Sequence, residues 1–295
     1  PKIIDATQVE PASGIFGMIS ISTMLLSIIF SIVITSLPYK AKHVIGSKIT
    51  FGYKILMRGV QQLLKLMPIA IWSFITLFIQ DINMLIVKTI LLYLACILSA
   101  NLIQALIVLP IFLKLNNANV ISYFKAMAPA LNVAFWSKSS GVALPVTIDC
   151  AIKRAKLSEN ISKFTLPICT TINMNACSAF ILITVLFVST SYGITYSNIE
   201  LIAWIGVASL AAIGNAGVPM GCFTLSMTLL AYLNVPLYAM GLILPFYAFI
   251  DMLESAINVW SDACVALVVD KNASKLNGYT DPEVRGRINQ VASLR

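Results

Sequence analysis

Residues 251–262 read DMLESAINVWSD, and their polar members recur at the spacing of one helical face. At about 100° per residue, these polar positions fall within an arc of roughly 100°. They are Asp251, Glu254, Ser255, Asn258 and Asp262, and the opposite face carries Met252, Leu253, Ala256, Ile257 and Val259. A carboxylate at membrane depth costs several kcal/mol unless it is paired, hydrated or bound to a cation. The stretch therefore predicts a helix that lines a site for cations or ammonium groups.

The composition of the whole chain indicates an integral membrane protein. Of its 295 residues, 59% are hydrophobic and only 11% are charged, whereas a soluble domain averages about 25% charged residues. Gly14–Leu37 and Thr89–Leu113 carry no charge, and each is long enough to cross a hydrocarbon core of about 30 Å. No charged segment precedes an apolar run with a cleavage site at the start, so we expect no signal peptide.

The net charge of +8 is concentrated in a few loops. Residues 38–67 contain six lysine and arginine residues and no acidic residue, and further basic clusters lie at residues 153–163 and in the C-terminal tail. The positive-inside rule places these regions in the cytoplasm, which predicts a multi-pass protein of the plasma (inner) membrane with a cytoplasmic tail. No basic patch is interleaved with aromatic residues, so we expect no nucleic-acid partner.

The cysteines and the single histidine indicate no catalytic or zinc centre. Six cysteines lie singly in apolar segments without a CxxC pair, so we expect buried thiols and neither a disulfide nor zinc. His43 lies in a basic loop, and a membrane enzyme would need a nucleophile, a base and an electrophile within reach of one another. We therefore expect a protein that is not an enzyme.

The apolar segments are organised as three spans followed by a repeated motif. The repeat is an interrupted hairpin and then a polar-faced or broken helix, which is typical of secondary transporters; a helix bundle with ordinary Gly/Pro kinks is the alternative. The predicted spans are Gly14–Leu37, Gln61–Ile79 and Thr89–Leu113, with an amphipathic approach from Phe51. The repeats are Tyr123–Thr147 broken at 137–141, Ile161–Val188 broken at 171–175, Ile202–Leu237 broken at 214–221, and Leu242–Val269.

Four motifs in order resemble the dicarboxylate/amino acid:cation symporters, the glutamate transporter family. They are SSGVALPVT at Ser139–Thr147, NMNAC at Asn173–Cys177, AGVP at Ala216–Pro219, and the stretch Asp251–Asp262, which is similar to DxxRTxxNVxGD. The resemblance runs from about Gly14 to Lys271. It implies an all-α integral membrane transporter with two re-entrant helical hairpins and broken helices, and a homotrimer. Because the family has eight transmembrane helices, we expect a chain that is N-terminally truncated and begins at the fourth.

The resemblance also implies a substrate site between the two hairpin tips and the last helix. The implied substrate-binding residues are Ser139, Ser140, Cys177, Val218, Pro219, Asp251, Glu254, Ser255 and Asn258. Ser140 and Asn258 keep the positions that hold the substrate α-carboxylate, and a tip rich in free backbone N–H suits an anion. Asp251 keeps the position that takes the substrate ammonium.

Sodium is the coupling ion that the resemblance implies, with protons possible in its place. Asp262 would ligate one sodium with carbonyl groups of Cys169, Asn173 and Asn258. A second site would use carbonyls of Thr171 and the second tip, at Ala212, Ile213 and Asn215, and Asn175 replaces the aspartate that ligates a third sodium. Hard cations prefer such oxygen ligands.

Departures from the family pattern shape the expected specificity. Glu254 stands where acidic-substrate members carry an arginine that pairs with the substrate carboxylate, and Cys177 replaces a threonine. We therefore predict symport of a neutral or small polar amino acid by alternating access. The alternatives are a proton- or sodium-coupled glutamate/dicarboxylate symporter and a non-transporting remnant. Lys138 is either a surface charge or a group that neutralises Glu254.

These expectations divide the chain into three parts. Residues 1–120 form a partial scaffold with three spans and the trimerisation surface, 121–271 form the transport domain, and 272–295 form the cytoplasmic tail. The expected partners are a small-molecule amino acid, the lipid bilayer and two further copies of the chain.

Overall fold

The computed structural model describes residues 26–27, 29–66, 68–69, 71–73, 75–76, 84–215, 217 and 219–276. These residues form helices, turns and short connections, and none of them is in a strand. The predicted all-α class is therefore confirmed. Three helical segments are long and apolar enough to cross a membrane: Val87–Leu115, Glu159–Ser191 and Tyr238–Ala273.

The described residues form the following ten α-helices. They are α1 (Tyr39–Leu64), α2 (Met84–Ile103), α3 (Leu109–Leu115), α4 (Val120–Ser137), α5 (Ser140–Asp149), α6 (Glu159–Ile172), α7 (Asn175–Ser191), α8 (Asn198–Gly214), α9 (Gly221–Tyr232) and α10 (Tyr238–Leu276). Two π-helical turns join them, Gln104–Val108 before α3 and Cys150–Arg154 after α5.

The chain divides into two compact units. One comprises residues 89–226 and 246 onward, and the other comprises residues 4–88 and 227–245. All described residues of the predicted substrate and ion sites fall in the first unit. The expected division at residue 120 stays a prediction.

The three predicted N-terminal spans have different outcomes. The described part of Gly14–Leu37 is helical as far as Thr35, and the rest of that span lies outside the described residues. The second span was wrong at its start, because α1 begins at Tyr39 and a turn at residues 65–66 interrupts Gln61–Ile79. Pro68 follows that turn, and a proline disfavours helix at the residue before it.

The third predicted span, Thr89–Leu113, is confirmed as one continuous helical segment. It is formed by α2, the π-helical turn Gln104–Val108 and α3. Pro110 lies at the start of α3 and has no N–H to donate four residues back. The π turn immediately before Pro110 accommodates this missing donor without ending the helix.

The first interrupted segment is a pair of packed helices, α4 and α5, that meet at a sharp turn. Lys138 ends α4 with a left-handed backbone, at φ 54°. Ser139 then caps α5 by accepting a hydrogen bond from the amide of Val142. The break that the sequence predicted at residues 137–141 is confirmed.

The two later breaks also lie where the sequence places them. Helix α6 ends at Ile172 and α7 begins at Asn175, so Asn173 and Met174 form the gap within the predicted 171–175. Helix α8 ends at Gly214 and α9 begins at Gly221. Among the residues described between them, Gly217 and Met220 have left-handed backbones, at φ 70° and 61°.

The last helix, α10, is buried on its polar face. The five stripe residues are all buried, whereas Met252, Leu253, Ala256 and Ile257 on the other side are only partly buried. Trp260 is buried against the rings of Tyr123 and Phe124. The helix therefore turns its charged side to protein and its apolar side outward, which suits a lipid environment.

Candidate functional site

The tips of the two interrupted segments meet. The hydroxyl of Ser139 donates a hydrogen bond of 2.8 Å to the carbonyl oxygen of Gly217. A Cβ added at Gly217 would lie 3.2 Å from Met174 Cε and 3.3 Å from both Gly141 N and Thr170 O. Only a residue without a side chain fits this contact. Gly217 therefore joins the first tip, the second tip and the gap between α6 and α7 at one point.

Asp251 lies beneath the second tip. Its carboxylate accepts hydrogen bonds from the amide of Met220 at 3.4 Å and from the hydroxyl of Tyr247 at 3.3 Å. The ring of Tyr247 packs between Phe180 and Phe223, with centroid distances of 4.8 and 5.0 Å. One carboxylate of α10 is thus positioned by the start of α9 and by a buried tyrosine one turn earlier on its own helix.

Asn258 connects α10 to the start of α7. Its Oδ1 accepts a hydrogen bond of 3.0 Å from the amide of Ala176, and its Nδ2 lies 3.4 Å from the sulfur of Cys177. The first amides of a helix have no partner within the helix. Asn258 therefore satisfies one of these amides and fixes the broken end of α7 against the last helix.

Asp262 lies one turn further along α10, against the gap between α6 and α7. Its carboxylate accepts hydrogen bonds from Asn173 Nδ2 at 3.0 Å and from the Thr170 hydroxyl at 3.2 Å. The hydroxyl of Ser261 accepts from Asn173 at 3.0 Å and from Asn175 at 2.8 Å. These oxygen-rich groups form a polar cluster where the helix is broken.

Glu254 differs from its neighbours on the stripe. It is only 1% exposed, and both of its carboxylate oxygens are buried without a hydrogen-bond partner among the described residues. Lys138, which is described, makes no hydrogen bond to it. The expectation that Lys138 neutralises Glu254 has no contact to support it in this arrangement. An unpaired carboxyl group buried in this way is costly.

The expectation of buried thiols is confirmed for Cys150, Cys169 and Cys264, and the expectation that no disulfide forms was wrong. Cys177 at the start of α7 and Cys222 at the start of α9 are joined by a disulfide, with Cα atoms 5.5 Å apart, and Cys96 is exposed. The two joined residues are separated by 45 positions in the sequence, so no local spacing signals the pair. The meeting of two chain breaks in the fold brings them together. Asn215 Nδ2 lies 3.1 Å from the sulfur of Cys177 and 3.4 Å from that of Cys222.

The other predicted substrate residues neighbour, in sequence, the site residues described above. Ser140 is buried in the first turn of α5, Ser255 is buried on the stripe, and Pro219 is partly buried in the second tip. Val218 lies outside the described residues.

The remaining predicted ion ligands are less well gathered. The carbonyl of Cys169 accepts from the amide of Asn173 at 2.8 Å, and that of Ala212 accepts from the amide of Asn215 at 3.1 Å. Thr171 is exposed and its hydroxyl donates to Ile168, while Ile213 is 44% exposed. Thr171 and Ile213 could therefore contribute only their backbone carbonyls to the second ion site that the resemblance implies.

Several residues of the site were not identified from the sequence. These are Tyr247, Thr170, Ser261, Gly217 as a contact point, and Cys222. Tyr247 lies four residues before Asp251 and within the same 100° arc, so extending the stripe by one turn would have found it. Thr170 and Cys222 come into the site from other elements, and no spacing in the sequence shows this.

The donor set fits hard cations and a zwitterion. Carboxylate, hydroxyl and carbonyl oxygens surround the helix gap near Asp262, and such oxygens are the ligands that hard cations take. The second region offers the carboxylate of Asp251 for an ammonium group and the N-terminal turn of α5 for an anion. The two regions are 11 residues apart on one helix, at Asp251 and Asp262.

A family model and several known proteins match this chain in sequence. The family model of the sodium:dicarboxylate symporter family matches residues 4–272. Excitatory amino acid transporter 3 of Mus musculus is 30% identical over 221 residues, which cover 74% of this chain and 42% of that protein. An excitatory amino acid transporter of Caenorhabditis elegans is 26% identical over 256 residues, covering 86% of this chain and 51% of that protein.

A relative named for neutral amino acids also matches. Neutral amino acid transporter B(0) of Rattus norvegicus is 27% identical over 172 residues, which cover 58% of this chain and 31% of that protein. The chain spans about half the length, or less, of the curated relatives it matches.

Proposed function

The chain belongs to the sodium:dicarboxylate symporter family, and on this premise we propose that it carries out sodium-coupled symport of an amino acid. The family consists of transporters, so the expected function class is transport and not catalysis. The substrate, the coupling ion and the assembly are the parts of this proposal that experiments must test.

One observation carries the proposal. Two separate carboxylates, Asp251 and Asp262, are buried on one face of α10 and face breaks in other helices. Buried carboxylates within an apolar chain are retained where they bind cations or polar substrates. Broken helices supply the free backbone groups that such ligands need.

The amino acid would bind next to Asp251. The ammonium group of the amino acid would bind the carboxylate of Asp251. The carboxylate of the amino acid would bind Ser140 and Asn258, near the N-terminal turn of α5. The positive end of a helix favours a negative group at this place. Ser139, Cys177, Pro219, Val218 and Ser255 would complete the pocket, as the motifs imply.

The side chain of the substrate would be neutral or small and polar. Glu254 is buried and unpaired at the position where acidic-substrate members carry arginine. A second carboxylate placed against it would be repelled strongly in a desolvated site. Relatives are named for both excitatory and neutral amino acids, so glutamate or dicarboxylate symport is the second candidate.

Sodium would bind at Asp262. The Thr170 hydroxyl and the Asn173 side-chain amide contact that carboxylate, and the Ser261 hydroxyl contacts the same amide; the carbonyls of Cys169 and Asn258 are further candidate ligands. The second site would use carbonyls of Thr171, Ala212, Ile213 and Asn215. Asn175 is bonded to Ser261 and has no charge, so a third ion is not part of the proposal.

Transport would proceed by alternating access, with α8, α9 and the tip between them as the outer gate. The working assembly would be a homotrimer in the plasma membrane with a cytoplasmic C-terminal tail. These features follow the family pattern and the positive-inside rule.

The decisive experiment is uptake into proteoliposomes. Labelled serine, alanine, lysine, glutamate and aspartate are each offered with an inward sodium gradient, with potassium in place of sodium, and with a proton gradient alone. Concentrative uptake of a neutral amino acid only with sodium is expected. Uptake driven by protons alone, or uptake of glutamate in preference to the others, would overturn the corresponding part of the proposal.

A further inference from the structure

Two cysteines and a carboxylate from three different helices converge below the second tip. Cys177 lies in the first turn of α7, Cys222 in the first turn of α9 and Glu254 in the middle of α10. All three are buried. The ligand atoms of the three residues lie within 4.8 Å of one another. Sulfur and carboxylate groups at this separation are the donor set of a transition-metal site.

The surroundings of the two sulfurs favour thiolates. Asn215 directs its Nδ2 at both sulfurs, at 3.1 and 3.4 Å, and Asn258 directs its Nδ2 at Cys177, at 3.4 Å. Sulfur is a weak acceptor when it is uncharged, and amide donors stabilise it far more when it carries a negative charge. The amides of Asn215 and Asn258 are therefore matched to the reduced, deprotonated pair.

The carboxylate is an independent indication of a ligand. Both oxygens of Glu254 are buried, and within the part of the chain that the structure describes neither has a hydrogen-bond partner. The neighbouring sulfurs offer it no strong donor, and two thiolates beside it would repel it. A divalent cation would remove the repulsion among all three groups and would give the carboxylate the partner that it lacks.

We propose that, once the Cys177–Cys222 disulfide is reduced, these two thiolates and the Glu254 carboxylate bind one soft divalent cation of the Zn²⁺ and Cd²⁺ class. Bonds of about 2.0–2.3 Å place tetrahedral ligand atoms about 3.3–3.8 Å apart. The ligand atoms lie within 4.8 Å of one another, so the two sulfurs would separate after reduction and the carboxylate would approach them. The fourth position is open to water.

An external thiol or phosphine would reduce the Cys177–Cys222 disulfide. The reductant supplies two electrons, the S–S bond breaks, and two protons give the dithiol. The metal ion then displaces those two protons as it binds the two thiolates. Oxidation of the pair closes the site, so the disulfide and the metal complex exclude each other.

Binding would connect three elements of the transport site. The ion would join the start of α7, the start of α9 and the middle of α10, next to the pocket proposed for the substrate side chain. This consequence rests on the proposed function: an ion held there would keep the second tip from opening and would inhibit transport. The site itself can be tested without any transport.

The test is isothermal titration of the purified full chain with Cd²⁺ in detergent. Wild type is titrated after phosphine reduction and again after diamide oxidation, and free thiols are counted in both states. One ion per chain bound by the reduced protein, with that ion absent after oxidation, is the expected result. Cys177→Ser, Cys222→Ser and Glu254→Gln should each weaken its binding by about tenfold or more.

Two control variants separate this site from other thiols. Cys96→Ser removes an exposed cysteine and Cys150→Ser removes a buried one elsewhere, and both should keep the high-affinity ion. Size-exclusion profiles identify variants that do not fold. Equal Cd²⁺ binding by oxidised and reduced wild type, or unchanged affinity in Cys222→Ser and Glu254→Gln, would overturn the site.

Uptake measured in parallel distinguishes the two proposals. Inhibition of amino-acid uptake by Cd²⁺ in reduced wild type, and its loss in Cys222→Ser, supports both. Specific Cd²⁺ binding by a chain that shows no uptake under any gradient would overturn the proposed function and leave the metal site standing.

Discussion

The hydroxyl of Ser139 donates to the carbonyl oxygen of Gly217, although 78 residues separate the two in the sequence. The same hydroxyl oxygen accepts from the amide of Val142 and so caps α5. One small side chain therefore ends the first break and holds the second break against it. The two interrupted segments are thus joined at their tips.

Replacing Gly217 with alanine should destabilise the contact between the tips. A left-handed backbone costs an alanine about 1–2 kcal/mol, and the added Cβ would lie within 3.3 Å of three groups from neighbouring elements. We expect a lower thermal midpoint in detergent and reduced uptake. The matched control is Gly206→Ala in α8, where a Cβ meets nothing within 4 Å and helix propensity favours alanine by up to about 1 kcal/mol. Equal midpoints for the two variants would contradict the crowding argument.

Removing the hydroxyl of Ser139 should affect transport more than stability. Ser139→Ala deletes an N-cap worth about 1 kcal/mol and also the bond to Gly217. Ser197→Ala deletes the capping hydroxyl of α8, which bonds only within its own turn. Both variants should lose the stability of the cap, Ser139→Ala should lose more because the carbonyl of Gly217 is left without its buried donor, and only Ser139→Ala should alter the uptake rate. A Ser197→Ala variant with the same transport defect would show that capping alone explains the effect.

Asp262→Asn should remove most of the sodium dependence. The substitution discharges the carboxylate and sets an amide NH₂ against the donors Thr170 and Asn173, which leaves polar groups unsatisfied. Sodium activation of uptake should shift to at least about tenfold higher concentration, equivalent to 1.4 kcal/mol. Asp149→Asn is the control, since Asp149 is exposed and pairs with Lys153. Unchanged sodium activation in Asp262→Asn rejects the ion assignment.

Asp251→Ala should abolish amino-acid binding and leave residual sodium binding. The carboxylate is the only acceptor proposed for the substrate ammonium, and its loss also frees the amide of Met220. Tyr247→Phe keeps the ring packing and removes one hydrogen bond to Asp251, so it should weaken substrate binding by less. Calorimetry on both variants measures this, and normal substrate affinity in Asp251→Ala rules out the assigned role.

Glu254 should decide substrate charge. In competition assays on wild type, serine, alanine or lysine should displace the labelled substrate better than glutamate or aspartate. Glu254→Arg should move preference towards acidic amino acids, because arginine pairs with a second carboxylate, and Glu254→Gln should reduce discrimination in both directions. Glutamate competing best in wild type would mean that Glu254 does not face the substrate.

The sequence predicted the features that repeat along the chain. The polar stripe of α10 follows from the spacing of its polar residues, and the three breaks follow from clusters of Gly, Ser, Asn and Pro. Each of these features lies where it was expected. The start of α1 and the turn at residues 65–66 were missed, because an amphipathic helix entering an apolar run has no sharp boundary.

Contacts between distant elements were beyond the reach of spacing. The disulfide of Cys177 and Cys222 and the hydrogen bonds from Thr170 and Asn173 to Asp262 depend on how three broken segments assemble. Tyr247 is the exception, because its position four residues before Asp251 places it on the same helical face. That Glu254 has no hydrogen-bond partner among the described residues also emerges only in three dimensions, because the sequence alone left pairing with Lys138 open.

The aromatic packing around Tyr247 limits how the second hairpin can move. Phe180, Tyr247 and Phe223 tie α7, α10 and α9 together, and pulling a ring such as Phe223 out of contact would forfeit about 1.5–3 kcal/mol. Gly217 and Met220, which lie between α8 and α9, have left-handed backbones. In the proposed transporter, movement of α9 as part of the outer gate would therefore have to break the contact between the rings of Phe223 and Tyr247.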